Sequence, residues 1–247
     1  MLLGKKHAEQ QDHNLHIWKA RFIAQGCTVR DVYDIEVVEQ VIQKIPAGLS
    51  TVRIGFLHEG MYPDGTALHG DVDGAFLTTK IEGDPKYLEI PRYLWEPGWE
   101  KIYTTDDPPC REVKNALYGF KRAGKDFGEK VIKIMRKLGF TQVRDVEESM
   151  WIKGNVLVII YVDDCLTAGP KEEALIAHYE VHLSLGFSGK GMSSPELKNY
   201  LGLHREVLHA DKKGKVIRIH QTEYCKFVVK EYMRMRGELG LSTTTLK

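Results

Sequence analysis

The sequence predicts an α+β fold built around a mainly antiparallel sheet. Short apolar runs of strand length alternate with longer amphipathic segments of helical period, and the turns between neighbouring strands are short. Along the chain, the predicted order is strand, helix, hairpin, helix, hairpin, helix. With 247 residues, of which 43% are hydrophobic, the chain can bury a sizeable core.

The first half of the chain contains the shorter elements. Residues 19–25 (KARFIAQ) are typical of a strand, and residues 50–60 favour a helix in a region interrupted by proline and glycine. Residues 67–77 predict a strand that runs into a turn. From 83 to 110, the spacing of Gly, Pro and Asp indicates short strands joined by turns.

The second half has clearer helix and hairpin signals. Gly139 and Gly186 are natural stops for the first two helices there, and Gly154-Asn155 suits the turn of the first hairpin. The predicted elements are a helix at 122–138, a hairpin of 149–152 with 156–162, a helix at 171–185, a hairpin at 203–221 and a helix at 222–236. Five apolar residues share one side of the last helix: Tyr224, Phe227, Val228, Tyr232 and Met235.

Composition narrows the class of protein. The net charge of +1 gives no global attraction for nucleic acid, although residues 205–247 hold ten Lys or Arg against five Asp or Glu. The four cysteines lie far apart without a C-x-x-C pair, which argues against a zinc knuckle or a disulfide framework. No apolar stretch approaches the ~20 residues that span a bilayer. We therefore expect a cytosolic or nuclear protein, or a piece of a longer polyprotein.

Adjacent carboxylates follow the most apolar strand. The run VLVIIYVDDCL (156–166) predicts a hairpin of 156–162 with 165–168, with Asp163 and Asp164 in its turn. Aspartate suits turns, so a purely structural role stands as the alternative. A second acidic strand, Asp71-Val72-Asp73, has a similar setting. Several carboxylates converging on two divalent cations are what in-line phosphoryl transfer requires, and oxygen ligands favour magnesium over zinc.

Several blocks of the sequence together resemble one family. They are WKARFIAQG (18–26), HGDVDGAFL (69–77), ALYGFKRAGKDF (116–127), IIYVDDCL (159–166), YLGLHREV (200–207) and STTTL near the end. In collinear order from about residue 17 to 245, they resemble the reverse transcriptase domain of copia-type (pseudovirus) retrotransposons. A lone Y-V-D-D would be a weak signal, whereas several blocks in order indicate descent.

The resemblance implies a right-hand polymerase fold with fingers, an antiparallel-sheet palm and the start of a thumb, formed by residues 1–247 as a single domain. The implied subdivisions are fingers at about 1–65 and 84–117, palm at 66–83 and 118–199, a primer-grip hairpin at 200–221 and the thumb start at 222–247.

The resemblance also implies an RNA-directed DNA polymerase that adds deoxynucleotides to a primer 3′-hydroxyl. Its catalytic and metal-binding carboxylates map onto Asp71, Asp163 and Asp164, and the carbonyl of Val72 is a further metal contact. Two Mg²⁺ ions are expected, with Mn²⁺ as a substitute. Asp163 is expected to matter more than Asp164.

Five residues correspond to the family's nucleotide site: Lys19, Arg21, Val72, Phe76 and Gly119. The two cations would hold the triphosphate, and the Phe76 ring would exclude a 2′-hydroxyl. The glycine would allow close backbone approach. The structural alternatives are a charged edge strand for Lys19 and Arg21 and an ordinary core position for Phe76.

Four residues correspond to template or primer contacts: Tyr118, Lys121, Gly202 and Leu203. The basic helix at 222–236 would begin the thumb against the duplex, with salt-sensitive contacts to phosphate and sugar. Either Lys190 or Lys198 would protonate the leaving pyrophosphate, and the sequence does not distinguish them. The expected partners are an RNA or DNA template with its primer, deoxynucleoside triphosphates, and the ribonuclease H and integrase regions of a polyprotein, with no membrane. The expected location is a cytoplasmic virus-like particle or the nucleus.

The sequence also departs from the family pattern. DIEVVEQVIQKIP (34–46) replaces the usual Phe-x-Pro-Val region, so the fingers are expected to be altered. Asp73 would share a strand face with Asp71 and add negative charge near the triphosphate. A non-catalytic nucleic-acid-binding relic is therefore the main alternative. A nucleotide cyclase on a similar palm ranks lower, because its Gly-Gly-acidic hairpin signature is missing.

Overall fold

The computed structural model describes residues 2–6, 17–24, 26, 29–30, 33, 35, 48–143, 147–187, 197, 199–211 and 214–239. Over these residues, the chain is a mixed α+β structure with antiparallel sheets, which confirms the predicted class. The helices are α1 (Leu49–Gly60), α2 (Ala123–Lys137), α3 (Lys171–Leu185) and α4 (Thr222–Glu238). The strands are β1 (Leu2–Lys6), β2 (Ile17–Arg21), β3 (Gly65–Asp71), β4 (Lys86–Glu89), β5 (Cys110–Val113), β6 (Thr141–Gln142), β7 (Met150–Lys153), β8 (Val156–Tyr161), β9 (Asp164–Pro170), β10 (Asn199–Tyr200), β11 (Leu203–Asp211) and β12 (Gly214–His220).

The chain divides into two compact units. The first contains Met1–Pro46 and Asp73–Lys137, and the second contains Ala47–Val72 and Leu138–Lys247. These divisions do not coincide with the expected boundaries of fingers and palm: α1, expected in the fingers, packs on the main sheet of the second unit. The assignment of fingers, palm and thumb stays a prediction.

The second unit is built on a five-stranded antiparallel sheet in the order β3-β9-β8-β7-β6. Its central strand, β8, is buried at every position except Tyr161, as expected for an apolar run with sheet neighbours on both sides. Leu166 and Thr167, consecutive on β9, point to opposite faces. Leu166 lies near α1 and Thr167 contacts His178 of α3, so the two helices cover opposite faces of the sheet.

Helix α1 approaches the sheet closely because of one small residue. Its buried positions, Thr51, Val52, Gly55, Phe56 and Glu59, follow the spacing of a single helical stripe. A β-carbon at Gly55 would lie 2.7 Å from Cδ2 of Leu166, so a larger residue there would require this buried side chain or the helix to shift. The resulting core contains these side chains: Val52, Phe56, Ala67, Met150, Leu157, Ile159, Leu166, Leu197, Tyr200 and Leu203.

A three-stranded sheet, β10-β11-β12, joins this core through a buried ion cluster, which we call the Glu59 cluster. Glu59 of α1 is fully buried, and its carboxylate accepts hydrogen bonds from Arg205 of β11, with Nε to Oε2 at 2.8 Å. Lys215 of β12 adds a contact of 3.1 Å to Oε1. The guanidinium also donates to the carbonyl of Leu197 at 3.1 Å. Two cations therefore surround one buried carboxylate, and the cluster connects three elements.

The first unit contains two small antiparallel sheets, β1-β2 and β4-β5, together with α2. Between β4 and β5 lie two single-turn 3₁₀ helices, Arg92–Leu94 and Trp99–Lys101, where the sequence predicted only turns. Helix α2 buries Ala123, Phe127 and Val131 at helical spacing, in agreement with the prediction. The structure thus contains the predicted short strands at 83–110 and the predicted helix that follows them.

Helix α4 forms as predicted, but it buries none of its residues. Its apolar side remains about half exposed at Phe227, Val228 and Tyr232. Within the described residues, no helix combines the length and the apolar character needed to cross a membrane.

Two sequence predictions place the end of a strand too late in the chain. The hairpin turn consists of Val162 and Asp163, whereas Asp164 is the first residue of β9 and pairs with Tyr161. Strand β3 ends at Asp71, and Asp73 lies in the following turn, so the strand alternation that was expected to place Asp73 on the face of Asp71 does not extend to it. In both cases the chain turns one or more residues earlier than the apolar pattern indicated.

Candidate active site

Two acidic residues face each other at the end of the main sheet. Asp71, the last residue of β3, pairs with Asp164, the first residue of β9. The backbone N–H of Val72 donates to the carbonyl of Asp163 at 2.7 Å, which makes the Asp71–Asp164 pair the narrow, non-hydrogen-bonded type. Side chains in such a pair lie close together, with Cα atoms about 4.5 Å apart. Two like charges are therefore held next to each other by a rigid sheet.

The third acidic residue, Asp163, lies in a strained two-residue loop. Val162, which precedes it, has φ of 54°, a conformation that β-branched residues rarely adopt. Glycine is the usual residue at this position when the first loop residue has positive φ. The loop directly follows the buried strand β8, so the backbone of Asp163 is held by a fixed base and is followed directly by Asp164.

His69 and Tyr200 surround Asp164. Nε2 of His69 lies 2.8 Å from Oδ1 of Asp164, and the imidazole packs edge-to-face on the Tyr200 ring, with centroids 5.3 Å apart. Tyr200 is 2% exposed, and its hydroxyl has no hydrogen-bond partner among the residues that the structure describes. Burial, with the nearby Cys165 thiol and Asp164 carboxylate, raises the pKa of Tyr200 well above its ordinary value. The phenol therefore stays protonated as a donor.

The donor chemistry of this site suits a hard cation, but the side chains are not assembled around one. Carboxylate oxygens and a backbone carbonyl are the ligands that magnesium prefers. Among the described residues, no group of three or more His, Cys, Asp or Glu side chains is close enough to hold a metal ion. One oxygen of Asp164 is already bound to His69. Metal binding would therefore use the second oxygen of Asp164 and require the side chains of Asp71 and Asp163 to turn towards it.

A second group of predicted site residues comes together in the first unit. The guanidinium of Arg21 lies 5.3 Å from the ring centroid of Tyr118, at cation–π distance. Phe76 packs edge-to-face on the same tyrosine at 5.4 Å and on Phe127 at 6.2 Å. Phe76 is partly buried, so it has both a packing role and a surface that a ligand could contact.

Gly119 joins this group through a close backbone crossing. The N–H of Ala24 donates to the carbonyl of Tyr118 at 2.8 Å. Gly119 has φ of 96°, and a β-carbon there would lie 2.0 Å from the carbonyl oxygen of Ala24. A β-carbon at Gly26 would lie 2.2 Å from the carbonyl oxygen of Gly119. The glycines are therefore required by the packing of two chain segments, whatever else Gly119 contacts.

The positions of the remaining predicted residues give little information about the contacts expected of them. Lys121 is partly buried in the turn before α2. Gly202 is exposed in the tight turn between β10 and β11, whereas Leu203 is 3% exposed in the core and could meet a ligand only through its backbone. The side chain of Lys19, and all of Lys190 and Lys198, lie outside the described residues.

Sequence reasoning missed His69 and Tyr200. His69 is two residues before Asp71 on β3, and residues two apart on a strand share a face, so spacing alone could have suggested it. Tyr200 had no such signal, because its contact with His69 joins elements 131 positions apart in the chain.

Comparison with known protein families shows to which family the chain belongs. Residues 3–247 match the family described as reverse transcriptase (RNA-dependent DNA polymerase). The chain belongs to the reverse transcriptase family. The family's description is that of an RNA-dependent DNA polymerase, and the antiparallel α+β structure agrees with the polymerase fold that the family implies.

A partial similarity to another protein was also found. Over 66 residues, this reverse transcriptase is 38% identical to a protein of Halobacterium salinarum named isopentenyl-diphosphate delta-isomerase. The match covers 27% of this chain and 17% of the other protein. A similarity over so small a share of both chains gives no information about the activity of the reverse transcriptase.

Proposed function

We propose that this reverse transcriptase belongs to a copia-type retrotransposon and extends a primer by two-metal phosphoryl transfer. The observation that carries the proposal is the Asp71–Asp164 pair at the end of β3 and β9, with Asp163 in the adjoining loop. Adjacent like charges are unfavourable without a cation, so a fold that holds them together favours cation binding.

Three carboxylates and one carbonyl would hold the ions. The oxygen donors are Asp71, Asp163, Asp164 and the carbonyl of Val72, and Asp164 would offer the oxygen that is not bound to His69. When bound, two Mg²⁺ or Mn²⁺ ions lower the pKa of the primer 3′-hydroxyl and neutralise charge on the triphosphate. Sheet pairing holds the backbones of Asp71 and Asp164, so only side-chain rotation is needed.

The nucleotide would be held by the group around Tyr118. Arg21 supplies a planar, permanently charged fork for phosphate oxygens, and Lys19 a second cation two residues away on the same strand. Phe76 would exclude a 2′-hydroxyl by steric contact. Stacking between Arg21 and Tyr118 at 5.3 Å restricts the guanidinium before the nucleotide arrives, which reduces the entropy lost on binding.

Template and primer would lie along backbone and basic surfaces. Tyr118 and Lys121 would contact the template, and the turn at Gly202 the primer, with Leu203 acting through its backbone. Helix α4 is exposed and carries four cations: Lys226, Lys230, Arg234 and Arg236. It therefore suits contacts to phosphate that do not depend on the nucleic-acid sequence. The proposal includes ribonuclease H and integrase regions as polyprotein partners, and a virus-like particle or the nucleus as the location.

Primer extension tests this function. The purified chain is given a primed RNA template, deoxynucleotides and Mg²⁺, beside an Asp163→Asn, Asp164→Asn double variant. We expect extension by the wild type and a loss of roughly a thousand-fold or more in the variant, as for other essential catalytic groups. Asp64→Asn is the matched control, because Asp64 is an exposed aspartate in a turn of the same unit.

The result also distinguishes the main alternative. A well-folded wild-type chain that binds a primed duplex but does not extend it would be a non-catalytic relic. Equal extension by the wild type and the double variant would contradict the assignment of the carboxylates. In either case the salt dependence of duplex binding, measured separately, reports on the phosphate contacts alone.

A further inference from the structure

We propose that His69 is a positioning residue for Asp164 and that Tyr200 supports it through ring contact. This inference rests on the proposed function, because Asp164 needs a fixed orientation only if it binds a cation. It concerns a side chain that would not touch the metal, the nucleotide or the primer, but would determine how one of the carboxylates is presented to them.

The contact between His69 and Asp164 fixes one carboxylate oxygen. With Oδ1 bound to Nε2 at 2.8 Å, rotation of the carboxylate is restricted and Oδ2 remains for a cation. Both side chains are about one-third exposed, at 32% and 29%, so the hydrogen bond is only partly screened by water. Hydrogen-bond partners of metal-ligating side chains commonly orient the ligand in this way.

Tyr200 restricts the position of the His69 imidazole. The edge-to-face contact at 5.3 Å fixes the plane of the His69 ring, and Tyr200 is itself held in the core at 2% exposure. Tyr200 is the last residue of β10 and precedes the turn at Leu201 and Gly202. A contiguous set of contacts therefore connects Asp164 to the hairpin that is proposed to meet the primer.

A matched histidine lies elsewhere in the same unit. His58 packs edge-to-face on Tyr62 with centroids 5.4 Å apart, and its Nε2 hydrogen-bonds the carbonyl of Asn155 at 2.8 Å. Its geometry is nearly that of His69 on Tyr200, but its polar partner is a backbone carbonyl rather than Asp164. Substituting His58 therefore controls for the general cost of losing a histidine–tyrosine pair.

Binding of Mn²⁺ alone to the full-length chain, followed by electron paramagnetic resonance of the free ion, tests the proposal. His69→Phe keeps an aromatic ring against Tyr200 but removes the hydrogen bond, and we expect about a ten-fold loss of Mn²⁺ affinity. His69→Gln keeps a donor and should restore most of it. His58→Phe should bind Mn²⁺ like the wild type. Tyr200→Leu should resemble His69→Phe, whereas Tyr200→Phe should resemble the wild type.

Several outcomes would overturn the proposal. They are unchanged or tighter Mn²⁺ binding by His69→Phe, an equal loss in His58→Phe, and no rescue by His69→Gln. In primer extension, His69→Phe should lower kcat more than it raises the KM for the deoxynucleotide. A change confined to KM would place His69 in nucleotide binding instead and would also reject the positioning role.

A double-mutant cycle separates this proposal from the proposed function. His69→Phe and Asp164→Ala, alone and together, are compared by urea denaturation without metal, because each change removes one partner of the hydrogen bond. Non-additive changes would support the contact even if the wild type bound no Mn²⁺, a result that would count against the two-metal function alone. Additive changes would reject the positioning contact, whatever the activity of the wild type.

Discussion

At the residue scale, Val162 shows the clearest conflict between a side chain and the backbone conformation that it must adopt. Its φ of 54° costs a β-branched residue on the order of 1–3 kcal/mol. The side chain is 38% exposed, so little buried area compensates for this cost. Strain of this kind is found where the surrounding structure requires a particular chain direction, and here it directs the backbone that carries Asp163.

Replacing this valine should therefore stabilise the protein. We expect Val162→Gly to raise the free energy of unfolding by about 1 kcal/mol, because glycine adopts positive φ without a steric cost. The measurement is urea denaturation of variant and wild type. Val216→Gly is the control: Val216 is also about half exposed but extended in β12, and glycine there should lower stability by roughly 1 kcal/mol. A loss of stability in both variants would contradict the assigned strain.

Replacing glycine by alanine tests the same steric argument in the reverse direction, at two positions of the first unit. Gly119→Ala places a β-carbon 2.0 Å from the carbonyl oxygen of Ala24 at a backbone φ of 96°, and should cost roughly 3 kcal/mol or more. Gly124→Ala lies on the exposed side of α2 with no atom within 4 Å, and should gain up to about 1 kcal/mol from helix propensity. Thermal unfolding followed by circular dichroism gives both values. Similar behaviour of the two variants would show that the chain crossing is looser than described.

The sequence indicated the acidic residues of the candidate site but not their arrangement. Asp71, Asp163 and Asp164 stand out because carboxylates next to apolar strands are unusual. The turn was assigned one residue late, because period-two patterns do not reveal where a strand bends when the loop residue is itself apolar, as Val162 is. The partner of Asp164, His69, depends on side-chain packing that a pattern does not contain.

At the scale of elements, the Glu59 cluster connects α1 to the β11–β12 hairpin. Removing one member of a buried ion pair leaves the remaining charge without compensation, which costs more than the pair contributes. Glu59→Gln leaves both Arg205 and Lys215 without a carboxylate, so we expect a loss of about 3–5 kcal/mol in the free energy of unfolding. Amide hydrogen exchange of β8 would measure it within the second unit.

An exposed pair in the same unit provides the control. Lys153 and Glu180 are 2.7 Å apart but each is more than one-third exposed. Glu180→Gln should therefore change stability by less than about 1 kcal/mol. If the two glutamates gave equal effects, burial would not be the cause of the Glu59 contribution.

Secondary-structure elements could be predicted when they were long and when residues such as proline or glycine marked their ends. Helix α3 begins and ends where the sequence indicated, because Pro170 and Gly186 mark its limits and two glutamates lie in its first turn. Strands β6 and β10 have two residues each and carry no pattern. They exist because a neighbouring strand supplies hydrogen bonds, which is information from the tertiary structure.

At the scale of the whole molecule, stability is concentrated in the core of the second unit and not in its last helix. Phe56 is 1% exposed in that core, whereas Phe227 of α4 is 46% exposed. We expect Phe56→Ala to cost about 3–5 kcal/mol. Phe227→Ala should cost less than about 1 kcal/mol. Urea denaturation compares them, and a large effect at Phe227 would mean that α4 packs on the protein in solution.

The Glu59 cluster also has a consequence for the evolution of the chain. A carboxylate with no exposure, held by cations from two strands, cannot be exchanged for a neutral residue unless the partners change as well. An intermediate that lost Glu59 alone would leave two cations without a carboxylate, and one that lost both cations would leave a buried carboxylate uncompensated, so both would be selected against. Positions 59, 205 and 215 should therefore vary together among descendants of a common ancestor, and copies released from selection should be recognisable by the separate loss of one of the three.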